Sequence, residues 1–203
     1  MGLLGDIFGP SKAEIWAQVA ADMGGHYEDG GIFGTDVLRY RVGGWEMTLD
    51  THTVSSGKSS TTYTRLRAPF MNADGLQFTV YDESIFSPIG KLFGMQDIQL
   101  GDEAFDNRFV VQGNNEEKMR LLLKDPDLKR RMHSLSQMRI LVKDDEGWFG
   151  ATFPEGVDEL YYECHGTETD PEVIKDMFDL FTLVLDRLVR IDSAYADDPR
   201  VEL

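Results

Sequence analysis

Four arginines hold the most suggestive spacing in this sequence. Arg39 and Arg41 alternate with Leu38, Tyr40 and Val42, and Arg65 and Arg67 flank Leu66 at the same period of two. Alternate residues of a strand share a face, so each pair projects from one side of its strand. The window 37–67 carries these four arginines and Lys58 against Glu46 and Asp50, a local excess of three positive charges in a chain of net charge −16. Planar guanidinium forks match a carboxylate or phosphate, so such a face could hold a small anion or an acidic partner segment. The same residues, with Glu46 between Arg41 and Arg67, also suit a cross-strand salt ladder.

A second candidate surface is apolar. Ile85, Phe86, Ile89, Leu92 and Phe93 are too hydrophobic for a solvated linker, while Pro88, Gly90 and Gly94 break any long helix. The segment could be a lid, a patch that docks a partner, or packing over the core.

Other combinations fall short of a chemical centre. Gly57-Lys58-Ser59 lacks the glycine a phosphate loop needs five residues earlier, where His52 stands, and it lies between two strands. Asp50 and His52 share a strand face and could serve as a general base, or simply face solvent near Thr61 and Tyr63. Cys164 and His165 are adjacent on a strand and therefore point apart, with Cys164 in phase with Leu160 and Tyr162. His26, His52, His133 and His165 show no metal-ligand spacing. Asp97, Asp102, Glu103 and Asp106 lack the alternation and closing Glu of a calcium loop. No catalytic residue, metal ligand or cofactor site is assigned.

The elements that must position these residues follow from periodicity. Ser11 and Glu14 form a capping box for a helix over 12–24, stopped by Gly24-Gly25. A Gly43-Gly44 turn folds 38–42 onto 45–49, placing Val42 opposite Trp45, Arg41 opposite Glu46, Tyr40 opposite Met47 and Leu38 opposite Leu49. With Ser55-Ser56-Gly57-Lys58 as a four-residue loop, a second hairpin places Glu46 opposite Arg67, Thr48 opposite Arg65, Asp50 opposite Tyr63 and His52 opposite Thr61. Leu76, Phe78 and Val80 read as a fourth strand. Phe105 and 109–111 read as a strand, Asn114 or Asn115 caps a helix, and Asp125-Pro126 starts another. Met138, Ile140 and Val142 are expected to fold back on Phe153, Ala151 and Phe149, and 160–164 forms a further strand. Asp170-Pro171 opens a long helix with a wide apolar stripe, expected to lie across a sheet. The polar tail after Ile191 is expected to fray.

These elements predict an α+β fold with mainly antiparallel sheet and a long C-terminal helix across it. The chain reads as a single globular unit, 1–203, with two helix-plus-sheet halves, 11–82 and 105–191, joined by the apolar irregular segment 83–104. Its 203 residues can withdraw about 70% of the unfolded surface from water. With 36 acidic against 20 basic residues it would repel a phosphate backbone, which disfavours nucleic acid as a partner. One cysteine and no apolar run near the length of a membrane span point to a reducing, cytoplasmic setting.

Residues 101–111, Gly-Asp-Glu-Ala-Phe-Asp-Asn-Arg-Phe-Val-Val, fit the pattern G-D-x-x-F-D-x-x-F-x-V. Over roughly 97–165 the chain resembles a family of uncharacterised bacterial proteins with this segment before a helix and a strand. The resemblance implies a bacterial source and brings no activity, cofactor or site residue. Members of that family often carry membrane-spanning segments, which this chain lacks.

The sequence thus favours a non-enzymatic binding or protein-interaction module, compatible with homodimerisation. The alternative is a small-ligand or lipid binder, for an anionic or apolar molecule, with its cavity between the C-terminal helix and the sheet. An enzyme using Asp50 and His52 or the arginine face is the third reading.

Overall fold

Leu38, Met47, Leu49 and Leu66 mark the apolar phase of period-two strands, and that phase is buried under helices. In the computed structural model the residues described are 9–31, 34–84, 95–144, 153–201 and 203. The elements in chain order are α1 (Lys12–Met23), β1 (His26–Glu28), β2 (Val37–Val42), β3 (Trp45–Ser56), β4 (Ser59–Met71), β5 (Phe78–Asp82), β6 (Gln96–Asp97), α2 (Glu103–Asp106), β7 (Phe109–Gly113), α3 (Glu116–Leu122), α4 (Pro126–Ser134), β8 (Arg139–Lys143), β9 (Val157–His165) and α5 (Pro171–Arg190). The strands form one antiparallel sheet of nine strands among the described residues, in the order β1-β2-β3-β4-β9-β8-β5-β7-β6.

Helix α1 starts at the capping box: Ser11 Oγ accepts from the Glu14 amide, the Glu14 carboxylate accepts from the Ser11 amide, and Gly24 closes the helix at φ +75°. Asp170 caps α5, with Pro171 in its first turn. Helix α5 packs against α1, α3, α4 and β4. Its stripe of Ile174, Met177, Phe178, Phe181, Val184 and Leu185 is fully buried, with Phe178 edge-on to Tyr40 at 5.8 Å and Phe181 edge-on to Tyr162 at 6.4 Å. A cavity between this helix and the sheet was expected for a ligand binder. Among the described residues the helix stripe facing the sheet is fully buried.

The first hairpin takes the expected register, Val42↔Trp45 through Leu38↔Leu49. The second is shifted by two residues. Its turn is only Gly57-Lys58, Ser56 pairs with Ser59, and the pairs are Thr48↔Arg67, Asp50↔Arg65 and His52↔Tyr63. Phe105 lies on the short helix α2 rather than a strand. Ile140 pairs with Val80 on one side and Tyr162 on the other, and Phe149 and Ala151, expected opposite this strand, lie outside the described residues. The tail beyond α5 is docked rather than frayed. The Tyr195 amide donates to the Met71 carbonyl at 3.0 Å, the Ala73 amide donates to that of Ser193 at 3.0 Å, and Ala194 bridges Asn72.

Candidate functional site: the polar face of the sheet

The second face of the sheet is built by the opposite phase of the same strands. The two-residue turn at Gly57-Lys58 puts Asp50 level with Arg65 and one step from Arg67. Both arginines converge on that carboxylate. Arg65 grips both of its oxygens, with Nη2 donating to Oδ2 at 3.1 Å, while Arg67 Nη2 donates to Oδ2 at 2.7 Å. The Asp50 and Arg67 side chains are only 6% and 7% exposed, so this is an ion pair withdrawn from water. Burial of this kind is tolerated only because charge meets charge with hydrogen bonds to match.

The row continues across the sheet. Arg65 pairs in register with Glu163 and Glu163 with Arg139, giving the alternation Asp50, Arg65, Glu163, Arg139 over four strands. Arg139 Nη1 donates to Glu163 Oε1 at 2.9 Å, and the Tyr161 hydroxyl donates to Glu163 Oε2 at 3.0 Å. Burial, and then the adjacent Glu163, push the Tyr161 phenol well above its ordinary range. Lys143 Nζ lies 3.1 Å from the centre of the Tyr161 ring, a cation–π contact. The fully buried Glu159 sits between Pro69 and Lys143 in the next row.

Towards the β2 edge the network reaches solvent. Arg39 donates through Nε to Glu28 Oε1 at 3.1 Å and through Nη1 to Thr48 Oγ1 at 3.3 Å. Arg41 Nη2 donates to Glu46 Oε2 at 3.3 Å, and Glu46 Oε1 lies 3.8 Å from Arg39 Nη1. The docked tail completes this rim: Arg41 Nη1 donates to Asp198 Oδ2 at 3.0 Å, and Arg39 Nη1 donates to the Leu203 carbonyl at 2.8 Å. Asp198 sits below the usual carboxylate range, chiefly because the Arg200 amide and then the Arg41 guanidinium favour its charged form.

The four arginines therefore share a face but divide into two centres, Arg65 and Arg67 on Asp50, Arg39 and Arg41 on Glu46. Each is engaged by a carboxylate of its own chain. Sequence reasoning missed Arg139, Tyr161 and Glu163, whose alternation with Ile140, Tyr162 and Cys164 marked the polar phase of β8 and β9, and it missed Asp198. The apolar candidates Ile85, Phe86, Ile89, Leu92 and Phe93 lie outside the described residues.

The remaining candidates do not assemble into a reactive centre. Both oxygens of Asp50 accept from arginines, and His52 pairs across the hairpin with Tyr63. Cys164 is buried and burial raises its thiol to about 11, while His165 is exposed and edge-on to Tyr63. A buried thiol with a raised pKa is a poor nucleophile at neutral pH. Asp102 caps α2 and meets Lys129 at 2.7 Å, Asp106 accepts from the amides of Leu100 and Gly101, and Asp97 accepts from Gln112. No group of three metal-ligating side chains occurs among the described residues. The segment 101–111 is a packing joint: Phe105 and Phe109 stack at 4.7 Å against His133, and Arg108 holds Asp82 and the carbonyls of His133 and Leu135. A groove of about 330 Å³ runs between α4 and α5, where Arg131 bridges to Asp176 and Asp179.

No helix of the described residues is long and apolar enough to cross a membrane. No family model matches the chain, and no curated protein matches it. Among solved structures it is similar to a mycobacterial trehalose monomycolate transport factor A. The TM-score is 0.55 and the sequence identity 10%, over 91% of this chain and 97% of that one. At that identity the likeness is one of fold: two α+β chains of nearly the same extent with largely unrelated side chains.

Proposed function

We propose that this protein is a non-catalytic module that binds a protein partner. The observation that supports it most is the state of the polar face. Among the described residues its charged side chains pair with one another, Asp50 with Arg65 and Arg67, and Glu163 with Arg139 and Tyr161. A buried, mutually neutralised network of this sort fixes geometry; it does not perform chemistry. A second reading rests on a different observation. The structural neighbour is named as a trehalose monomycolate transport factor, which lends support to a lipid ligand for this chain.

Native mass spectrometry of the purified protein, with a denatured control, separates the two. The protein-binding reading expects the bare chain mass or an integral multiple of it. A lipid-sized mass retained in the native spectrum and lost on denaturation would overturn it in favour of the lipid reading.

A further inference from the structure

Strand β3 is twelve residues long, and β2 covers only its first part, from Trp45 to Leu49. Before Val37 the chain turns towards the helix layer, where Asp36 meets Lys12 of α1 at 2.8 Å. The residues flanking a two-residue hairpin turn exchange both backbone bonds. The pairs Val42↔Trp45 and Ser56↔Ser59 therefore aim the odd-numbered residues of β3 towards β2 and the even-numbered ones towards β4. The Thr62 carbonyl fits this parity, accepting from the Gly166 amide at 2.8 Å on the far side of β4. Beyond Leu49, the backbone N–H and C=O groups of Thr51, Thr53 and Ser55 thus face outward, with no ladder partner among the described residues.

An open edge normally carries a guard, such as a lysine, a proline or a bulge, that blocks a further strand. This one has none. Residues 51–55 read Thr-His-Thr-Val-Ser, without lysine, proline or acid, and Thr53, Val54 and Ser55 are exposed. The ladder to β4 runs without a bulge from Ser56↔Ser59 to Thr48↔Arg67. Charge then decides what can approach. The hairpin 51–62 holds no acid and one lysine, in a chain of 36 acids and net charge −16. Two copies of such a chain repel one another, and on this hairpin they can touch without bringing carboxylates together.

We infer that the outer edge of β3 over 51–55 pairs with the same edge of a second copy, about a twofold axis through Thr53. The pattern is self-complementary. Antiparallel pairing sets Thr53 opposite its own counterpart and Thr51 opposite Ser55 of the other copy, so outward donors meet outward acceptors in both directions. It also sends the two Gly57-Lys58 turns opposite ways, which keeps the lysines apart. One short strand pair buries little area, so the association belongs to the weak, concentration-dependent class. The inference rests on the protein-binding reading above and names its partner as a second copy of this chain.

Sedimentation equilibrium of the full chain tests this, over a concentration series up to about 0.5 mM, where weak contacts are populated. Dimer should accumulate with concentration and also with added salt, which screens the repulsion between two acidic chains. Thr53→Lys and Thr53→Glu each set like charges directly opposite across the axis and should weaken the dimer roughly five-fold. An equimolar mixture of those two variants should regain it as the mixed pair. Thr53→Pro removes an outward donor, leaves the ladder bonds to β4 in place, and should abolish the dimer. A chain that stays monomeric throughout would overturn the inference and leave the edge to a strand of another protein. So would a dimer that salt dissolves, or one that the Thr53 variants leave intact. A lipid retained in the native spectrum sinks the underlying reading instead, whatever the sedimentation gives.

Discussion

The two faces of the sheet are made by the same strands and differ in how they are held. On the helix-covered face Leu38, Met47, Leu49, Leu66, Ile140, Leu160 and Tyr162 are buried against α1 and α5 without directional demands. On the other face Asp50, Arg67, Tyr161 and Glu159 are nearly as inaccessible, but each must find a partner of particular charge at a particular register. Apolar packing tolerates small shifts; a row of alternating charges does not. The first face is held by packing and the second by charge matching, which ends in an exposed rim at Arg41.

The largest expected effect belongs to the apolar face. Phe178 is fully buried, edge-on to Tyr40. Phe178→Ala removes about 3–5 kcal/mol from unfolding, the transfer and cavity costs together, read from the midpoint of urea denaturation. A change below 1 kcal/mol would show that α5 is not seated as described.

Asp50→Asn should cost nearly as much on the polar face, about 3 kcal/mol, because it withdraws the charge that two inward-facing guanidinium groups share. The comparison sharpens in the double variant Asp50→Asn with Arg67→Met. If the face is held by charge matching, the second substitution restores part of what the first removes. Strict additivity in urea denaturation would mean that the pair does not interact.

Different parts of this architecture were legible in the sequence for different reasons. The capping box at Ser11 and Glu14, the Asp170-Pro171 start and the Gly43-Gly44 hairpin are local, and neighbouring residues decide them. The second hairpin was placed two residues out of register because a slip of two leaves every side chain on its own face. Alternation therefore cannot distinguish a four-residue loop from the Gly57-Lys58 turn. That slip concealed the Asp50–Arg65 pair. The Glu163–Arg139 half of the row was invisible for other reasons: β8 was expected to fold back on 149–153 whereas it pairs with β9, and β4 meets β9 across roughly a hundred residues of chain, where no local signal sets the register. The tail misled through composition. Its polar residues suggested solvent, whereas backbone hydrogen bonds to Met71 and Ala73 dock it.

The smallest effect is expected at the rim, where the contact is exposed. Arg41 and Asp198 are both substantially exposed. Arg41→Ala should leave the urea midpoint unchanged within error while loosening the tail, seen as faster hydrogen exchange at the Tyr195 and Arg200 amides, which donate to the Met71 carbonyl and the Asp198 carboxylate. The same contact should respond to acid. Because the folded-state value of Asp198 lies below its unfolded one, its contribution is complete above the unfolded value, about 3.9. It is lost as pH falls through the folded value. Tail amides should therefore keep their shifts from neutrality down to about pH 4 and move below it, and Arg41→Ala should bring that transition closer to the unfolded value. A tail that titrates instead near neutral pH would be governed by a group other than Asp198, and the rim would no longer be the place where the two faces differ in purpose.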